Sequence, residues 1–111
     1  MVHDQFMSET KITVIYDNPT DPEAFESAYP VEQLEAARKV PGYTRFETSK
    51  VWPKEDGSPT PAHRMIDWYF PDYDAASVAV TTPEFGAFFQ AMAALSTGGV
   101  RVLFSDIEVT E

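Results

Sequence analysis

Lys11 to Asp17, KITVIYD, sets Ile12, Val14 and Tyr16 against Thr13 and Ile15. That alternation of β-branched and aromatic residues predicts a strand apolar on both faces. Asn18 and Pro19 end it. Thr20-Asp21-Pro22-Glu23 has the form of a capping box, with the Thr20 oxygen accepting the Glu23 amide and Pro22 in the first turn, so a helix is predicted from residue 21. In it Phe25, Tyr29, Gln33, Ala36, Ala37 and Val40 recur at spacings of three or four and share one stripe, with Leu34 at its margin. Pro30 removes a hydrogen bond from that helix, which predicts a kink or two short helices. Pro41-Gly42 is the stop.

Tyr43 to Trp52 reads as a second strand and 53-PKEDGSPTPA-62 as a loop. His63 to Phe70 is a third strand, with Ile66, Trp68 and Phe70 on one face and His63, Met65, Asp67 and Tyr69 on the other. A short helix over 74–81, opened by Asp74, is followed by a longer one restarting at Thr82-Pro83-Glu84. Its apolar face is Phe85, Phe88, Phe89, Met92 and Leu95. Gly98-Gly99 terminates it, and Val100 to Val109 is the last strand.

The order β-α-β-β-α-β contains two β-α-β units. Right-handed crossovers fold it into an α+β domain, a ferredoxin-like antiparallel sheet with the helices on one face. The other face still carries apolar side chains, and the cheapest cover is a second copy, so a homodimer is expected. The polar Gln33 lies on the buried stripe, where an amide must find a partner.

Composition narrows the function. The chain has 111 residues, 43% of them hydrophobic, enough for one domain over residues 11–111 behind a lead, residues 1–10, expected to lack structure. Eighteen acidic against eight basic residues give a net charge of −10, and the cations are scattered, which argues against nucleic acid. No apolar run reaches membrane length, and MVHDQFMSET has no signal-peptide pattern, so a cytoplasmic location without membrane association is expected. Absence of cysteine removes disulfides and thiolate chemistry. The two histidines are far apart and form no metal-ligand pattern, and Asp21, Glu23 and Glu26 decorate a helix start, where the macrodipole favours negative charge. No metal or other cofactor is expected. Gly98-Gly99 lacks the lysine or following helix of a phosphate loop.

The segments VIYDNPTDPEAFESAY, ARKVPGY, WYFPDYDAA and LSTGGVRVLFSDIEV, in this order, resemble the EthD-like family of the dimeric α+β barrel superfamily. The resemblance covers nearly the whole chain after residue 10. It implies a small-molecule cavity between helices and sheet. Family members carry a tyrosine, a histidine four residues later and Pro-Leu-Ala before the Pro-Gly stop; here Tyr29 matches the tyrosine, Gln33 stands at the histidine position, and Glu35-Ala36-Ala37 replaces Pro-Leu-Ala. The acidic residue of many members near Ala91 is also missing. An amide orients a ligand but does not titrate near neutrality, so histidine's proton-transfer role does not carry over.

Ligand-binding candidates are therefore Gln33 and Tyr29, with Tyr16, Trp68 and Phe46 as aromatic walls. Asp67 and Tyr29 are the candidate catalytic groups. Asp67 shares a strand face with His63, but four residues separate them by about 13 Å. Buried, Asp67 needs Arg45 or another cation, or a raised pKa; His63, after a flexible loop, is expected in solvent. Two functions follow: an accessory, noncatalytic homodimer that binds a small apolar or aromatic molecule in degradative or secondary metabolism, or a cofactor-independent isomerase, cyclase or monooxygenase on an aromatic or polyketide-like substrate.

Overall fold

The computed structural model describes residues 8–111. Strands β1 (Thr10–Tyr16), β2 (Arg45–Lys50), β3 (Arg64–Phe70) and β4 (Val100–Asp106) form one antiparallel sheet in the order β2-β3-β1-β4. Between β1 and β2 run α1 (Pro22–Ala28), a π-helical turn (Tyr29–Leu34) and α2 (Glu35–Arg38); between β3 and β4 run α3 (Tyr73–Ala79) and α4 (Pro83–Leu95). This is the expected ferredoxin-like α+β arrangement.

Most of the expected lead, residues 1–7, lies outside the described residues. Its end is not lead at all: Thr10 opens β1 and is buried, and the Glu9 carbonyl accepts the Ile107 amide at 2.8 Å. The outer strands are shorter than their alternation suggests, because pairing stops where β3 and β1 stop. Two caps also move. Asp21, not Thr20, caps α1, accepting the Ala24 amide at 3.1 Å, and Asp72, not Asp74, caps α3, accepting the Ala75 amide at 2.9 Å. In both cases a neighbouring acidic or hydroxyl residue of equal cap propensity stood within two positions. Thr82 caps α4 as expected.

Covered-face residues Ile12, Val14, Tyr16, Ile66, Trp68 and Phe70 are all wholly buried. Phe25, Tyr29, Gln33 and Ala37 come down on them from the first helical run, and Phe85, Phe88 and Met92 from α4. Phe89 does not join them and is 49% exposed. It lies one residue, about 100°, round the helix from Phe88 and past the edge of the sheet-facing stripe. Trp68 occupies the centre. Its ring packs against Phe88 at 4.9 Å, Phe85 at 5.8 Å and Phe46 at 6.1 Å, and its indole N–H donates to the Ala37 carbonyl at 2.9 Å.

The glycine pair does something other than stop a helix. α4 ends at Leu95 with Ser96 as its cap, while Gly98 lies against the β1 exit. A Cβ at Gly98 would stand 1.8 Å from the Asn18 carbonyl oxygen. Gly99 follows with φ of 109°, and its carbonyl accepts the Asp17 amide at 3.0 Å. Replacing Gly98 by alanine is expected to lower the unfolding free energy by about 3 kcal/mol, since backbone is in the way and cannot rotate aside. Gly86→Ala, inside α4 with nothing within 4 Å of the added methyl, is expected to raise it by about 1 kcal/mol. Urea denaturation of the two variants checks both signs.

Candidate functional site

Pro30 brings no amide hydrogen to the first helical run, and the chain there widens into the π turn instead of breaking. Tyr29 and Gln33 lie in this turn and both point into the core, 3% and 0% exposed. The Gln33 amide nitrogen donates to the Phe88 carbonyl at 3.3 Å, tying the turn to α4. Its Oε1 has no hydrogen-bond partner, and neither have the hydroxyls of Tyr16 and Tyr29. The two tyrosine rings are perpendicular with centroids 5.8 Å apart, and Phe25 packs on both, at 5.3 Å from Tyr16 and 5.2 Å from Tyr29. Burial pushes the Tyr16 phenol far above its ordinary pKa, and neighbouring Tyr29 adds to the effect. Burial does the same to Tyr29; the Arg64 cation pulls the other way and the Glu26 carboxylate reinforces the rise. Both phenols stay neutral near pH 7 and act only as hydrogen-bonding groups.

The other candidates divide. Trp68 is paired with Ile12 across the sheet and Tyr16 with Arg64, four residues further along, so Trp68 and Phe46 lie about 13 Å down the strand direction from Tyr16. Trp68 is linked to Gln33 through Phe88, whose ring packs on the indole and whose carbonyl accepts the Gln33 amide. Asp67 is on the opposite face of the sheet from Tyr29 and Gln33, since it alternates with Ile66 and Trp68. It is buried and accepts the Thr13 hydroxyl, and Arg45 is not its partner. Arg45 instead lies 4.0 Å over the Tyr69 ring and 3.7 Å from Glu47. A mechanism that joins Asp67 to Gln33 is thereby excluded.

A charged cluster escaped the sequence reading. His63 is not in solvent: its Nε2 is 2.9 Å from Glu26 Oε2, and its ring meets Phe25 edge-on at 5.0 Å. Arg64 donates to both oxygens of the same carboxylate and stands over the Tyr29 ring at 5.4 Å. Glu26 is thus more than helix-start decoration. The available signal was the His63-Arg64 dipeptide at the start of β3, which antiparallel pairing with β1 brings beside Tyr16.

Three surface grooves lie around this region, and none is lined by Tyr16, Tyr29 or Gln33. One of about 240 Å³ runs between α1 and the end of α4 and has Phe25 in its wall. Another, about 370 Å³, lies between Val31, Ala36 and Ala87. A third, about 300 Å³, lies under the 53–62 loop beside Lys50 and His63. Among the described residues no three metal-ligating side chains cluster, and no helix is long and apolar enough to cross a membrane.

No family model matches the sequence. An uncharacterized 11.0 kDa protein in the thcB-thcC intergenic region of Rhodococcus erythropolis is 31% identical over 98 residues, which is 88% of this chain and 94% of that protein. A crystallised EthD (ethyl tert-butyl ether d) family protein from Bacillus halodurans superposes with a TM-score of 0.83 at 19% identity, over 90% of this chain and 99% of its own. The chain belongs to the family of the Rhodococcus protein, and it has the fold of the EthD family protein. A dimeric ferredoxin-like protein of unknown function from Bacteroides fragilis also shares the fold of this chain, with a TM-score of 0.66 at 13% identity, over 89% of this chain and 96% of its own.

The Glu26 carboxylate is held below its ordinary pKa, first by the Arg64 hydrogen bond and then by His63, with burial opposing both. A carboxyl whose pKa is lower folded than unfolded contributes stability above its unfolded pKa and loses it as pH falls through the folded value. The Glu26 side chain is 40% exposed, so solvent screening limits the pair to about 1 kcal/mol. Glu26→Gln is expected to be less stable than the parent by that amount at pH 7. The gap closes as pH drops below the ordinary carboxylate range, as parallel urea titrations at pH 7 and pH 3 check.

Proposed function

We propose that this chain is an EthD-like homodimer that binds a small aromatic or largely apolar molecule beside Tyr16, Tyr29 and Gln33, in an accessory role without turnover. One observation carries the reading: three buried polar atoms in one part of the core have no partner. Each such atom costs about 1 to 3 kcal/mol. A fold tolerates that cost where a bound molecule relieves it, and clefts of this kind are apolar with a few convergent polar groups. Phe25 stands between the 240 Å³ groove and the tyrosine pair, so turning of this ring opens the way in.

Binding without turnover fits the proton inventory better than the cofactor-independent isomerase, cyclase or monooxygenase. Gln33 does not titrate, both phenols hold their protons, and Asp67 is across the sheet. The Glu26 carboxylate is occupied by Arg64 and His63.

The dimer is supported by the open sheet face. Ile15, Met65, Tyr69 and Leu103 lie there among charged and hydroxyl residues, and Leu103 is 50% exposed. A second copy covers these side chains with their own kind, and a protein of the same fold is described as dimeric. X-ray scattering is expected to give twice the chain mass; a monomer at all concentrations overturns this part.

Gln33→Leu separates binding from structure. Replacing a half-satisfied amide by an apolar group of similar shape is nearly neutral or stabilising for the empty protein, whereas ligand affinity falls. The expected result is an unchanged or higher melting temperature without ligand. The rise that aromatic ketones and quinols produce in the parent is expected to shrink. A broad screen that leaves the parent's melting temperature unmoved removes the proposal.

A further inference from the structure

The three unpartnered atoms differ in what they ask for. Gln33 has its orientation set by the Phe88 carbonyl, which only accepts, so the NH₂ end faces α4 and the remaining atom is a carbonyl oxygen in need of a donor. Tyr16 and Tyr29 each bring a hydroxyl hydrogen in need of an acceptor, and they do not supply one another although their rings touch. A carbonyl oxygen has two lone pairs and answers both phenols; a hydroxyl or N–H answers Gln33.

Resting on the binding reading above, we infer that the ligand is a neutral molecule with a flat apolar body that carries a carbonyl-type acceptor and a hydroxyl or N–H donor. The carbonyl takes the two tyrosine hydroxyls, and the donor takes Gln33 Oε1. Apolar wall is supplied by Phe25, which lies against both tyrosines. Ionic ligands fit less well. The Arg64 guanidinium over the Tyr29 ring opposes a cation and is itself committed to Glu26, so it is not free to pair with an anion. The burial that keeps both phenols protonated also opposes the entry of a carboxylate or phosphate.

Five phenyl compounds of nearly one size test this by calorimetry on the whole protein. 2-Hydroxyacetophenone carries acceptor and donor, acetophenone the acceptor only, 2-phenylethanol the hydroxyl only and ethylbenzene neither. Phenylglyoxylate adds a charge. The hydroxyketone is expected to bind about tenfold tighter than acetophenone, and acetophenone about a hundredfold tighter than ethylbenzene, about a factor of ten for each buried hydrogen bond. 2-Phenylethanol is expected between the hydroxyketone and ethylbenzene, and phenylglyoxylate weaker than the hydroxyketone. Gln33→Met is expected to erase the advantage of the hydroxyl and leave that of the carbonyl. Tyr29→Phe is expected to cut the advantage of the carbonyl about tenfold, since Tyr16 still donates to it, and to leave that of the hydroxyl, with both variants shown folded by circular dichroism and urea titration.

Equal affinity for ethylbenzene and the hydroxyketone leaves a binding protein but overturns the polar class. Phenylglyoxylate as the tightest ligand overturns neutrality, and preferences unchanged in both variants overturn the assigned contacts. If none of the five binds at millimolar concentration, the binding reading itself falls and this inference with it.

Discussion

The bond from the Trp68 indole to the Ala37 carbonyl holds the two layers in register. Ala37 lies at the end of the first helical run, where its carbonyl accepts the Val40 amide at 3.3 Å and keeps a second lone pair for the indole. Trp68 is in the middle of β3 and wholly buried, so its N–H would be costly if left alone. The indole needs this acceptor, and the geometry that joins them fixes where α2 sits over the sheet. Phe85 and Phe88 then pack on the same indole, which brings α4 alongside and places the Phe88 carbonyl within reach of Gln33.

From that anchor the π turn follows. Phe25, Tyr29, Gln33 and Ala37 are each four residues apart, and all four are buried. In a regular α-helix four residues overshoot one turn by about 40°, so three such steps would carry the stripe by about 120° away from the sheet. A segment with more residues per turn takes that drift back. Pro30 makes the widening cheap, because the hydrogen bond it cannot donate is one that the π turn does not require. The proline that weakens the helix therefore keeps Tyr29 and Gln33 inward, at the expense of polar atoms no neighbouring backbone can reach.

How much of this was legible depends on the range of the interaction. Periodicity alone put Gln33 on the buried stripe, and strand alternation put Trp68 on the core face, since both are local and survive folding unchanged. The same alternation already placed Asp67 on the face opposite Trp68. Glu26 with His63 and Arg64 was not legible, because partners 37 and 38 residues away meet only once the register of β1 and β3 is known. Nor could spacing tell that Gln33 would find one partner and lack a second, which depends on the position of α4. The family resemblance, carried by local segments, survived where these long-range contacts did not show.

The sheet separates two kinds of chemistry. On the covered face the hydroxyls of Tyr16 and Tyr29 and the Oε1 of Gln33 are unpartnered, which suits a site that is completed from outside. On the open face they are many and tied to one another: Thr13 to Asp67, Tyr69 to Glu47 at 2.8 Å, Arg45 over Tyr69. Asp67 and Glu47 are also direct cross-strand neighbours, a like-charged arrangement that is unfavourable alone and that the cations of the same face, Lys11, Arg45 and Arg101, offset. Such a face stays soluble while bare, yet Ile15, Met65 and Leu103 still gain from cover. The dimer proposed above would then draw affinity from a few apolar side chains and alignment from the charges. The tyrosine pair is on the other side of the same strands, with Phe25 packed between it and the groove beside α1.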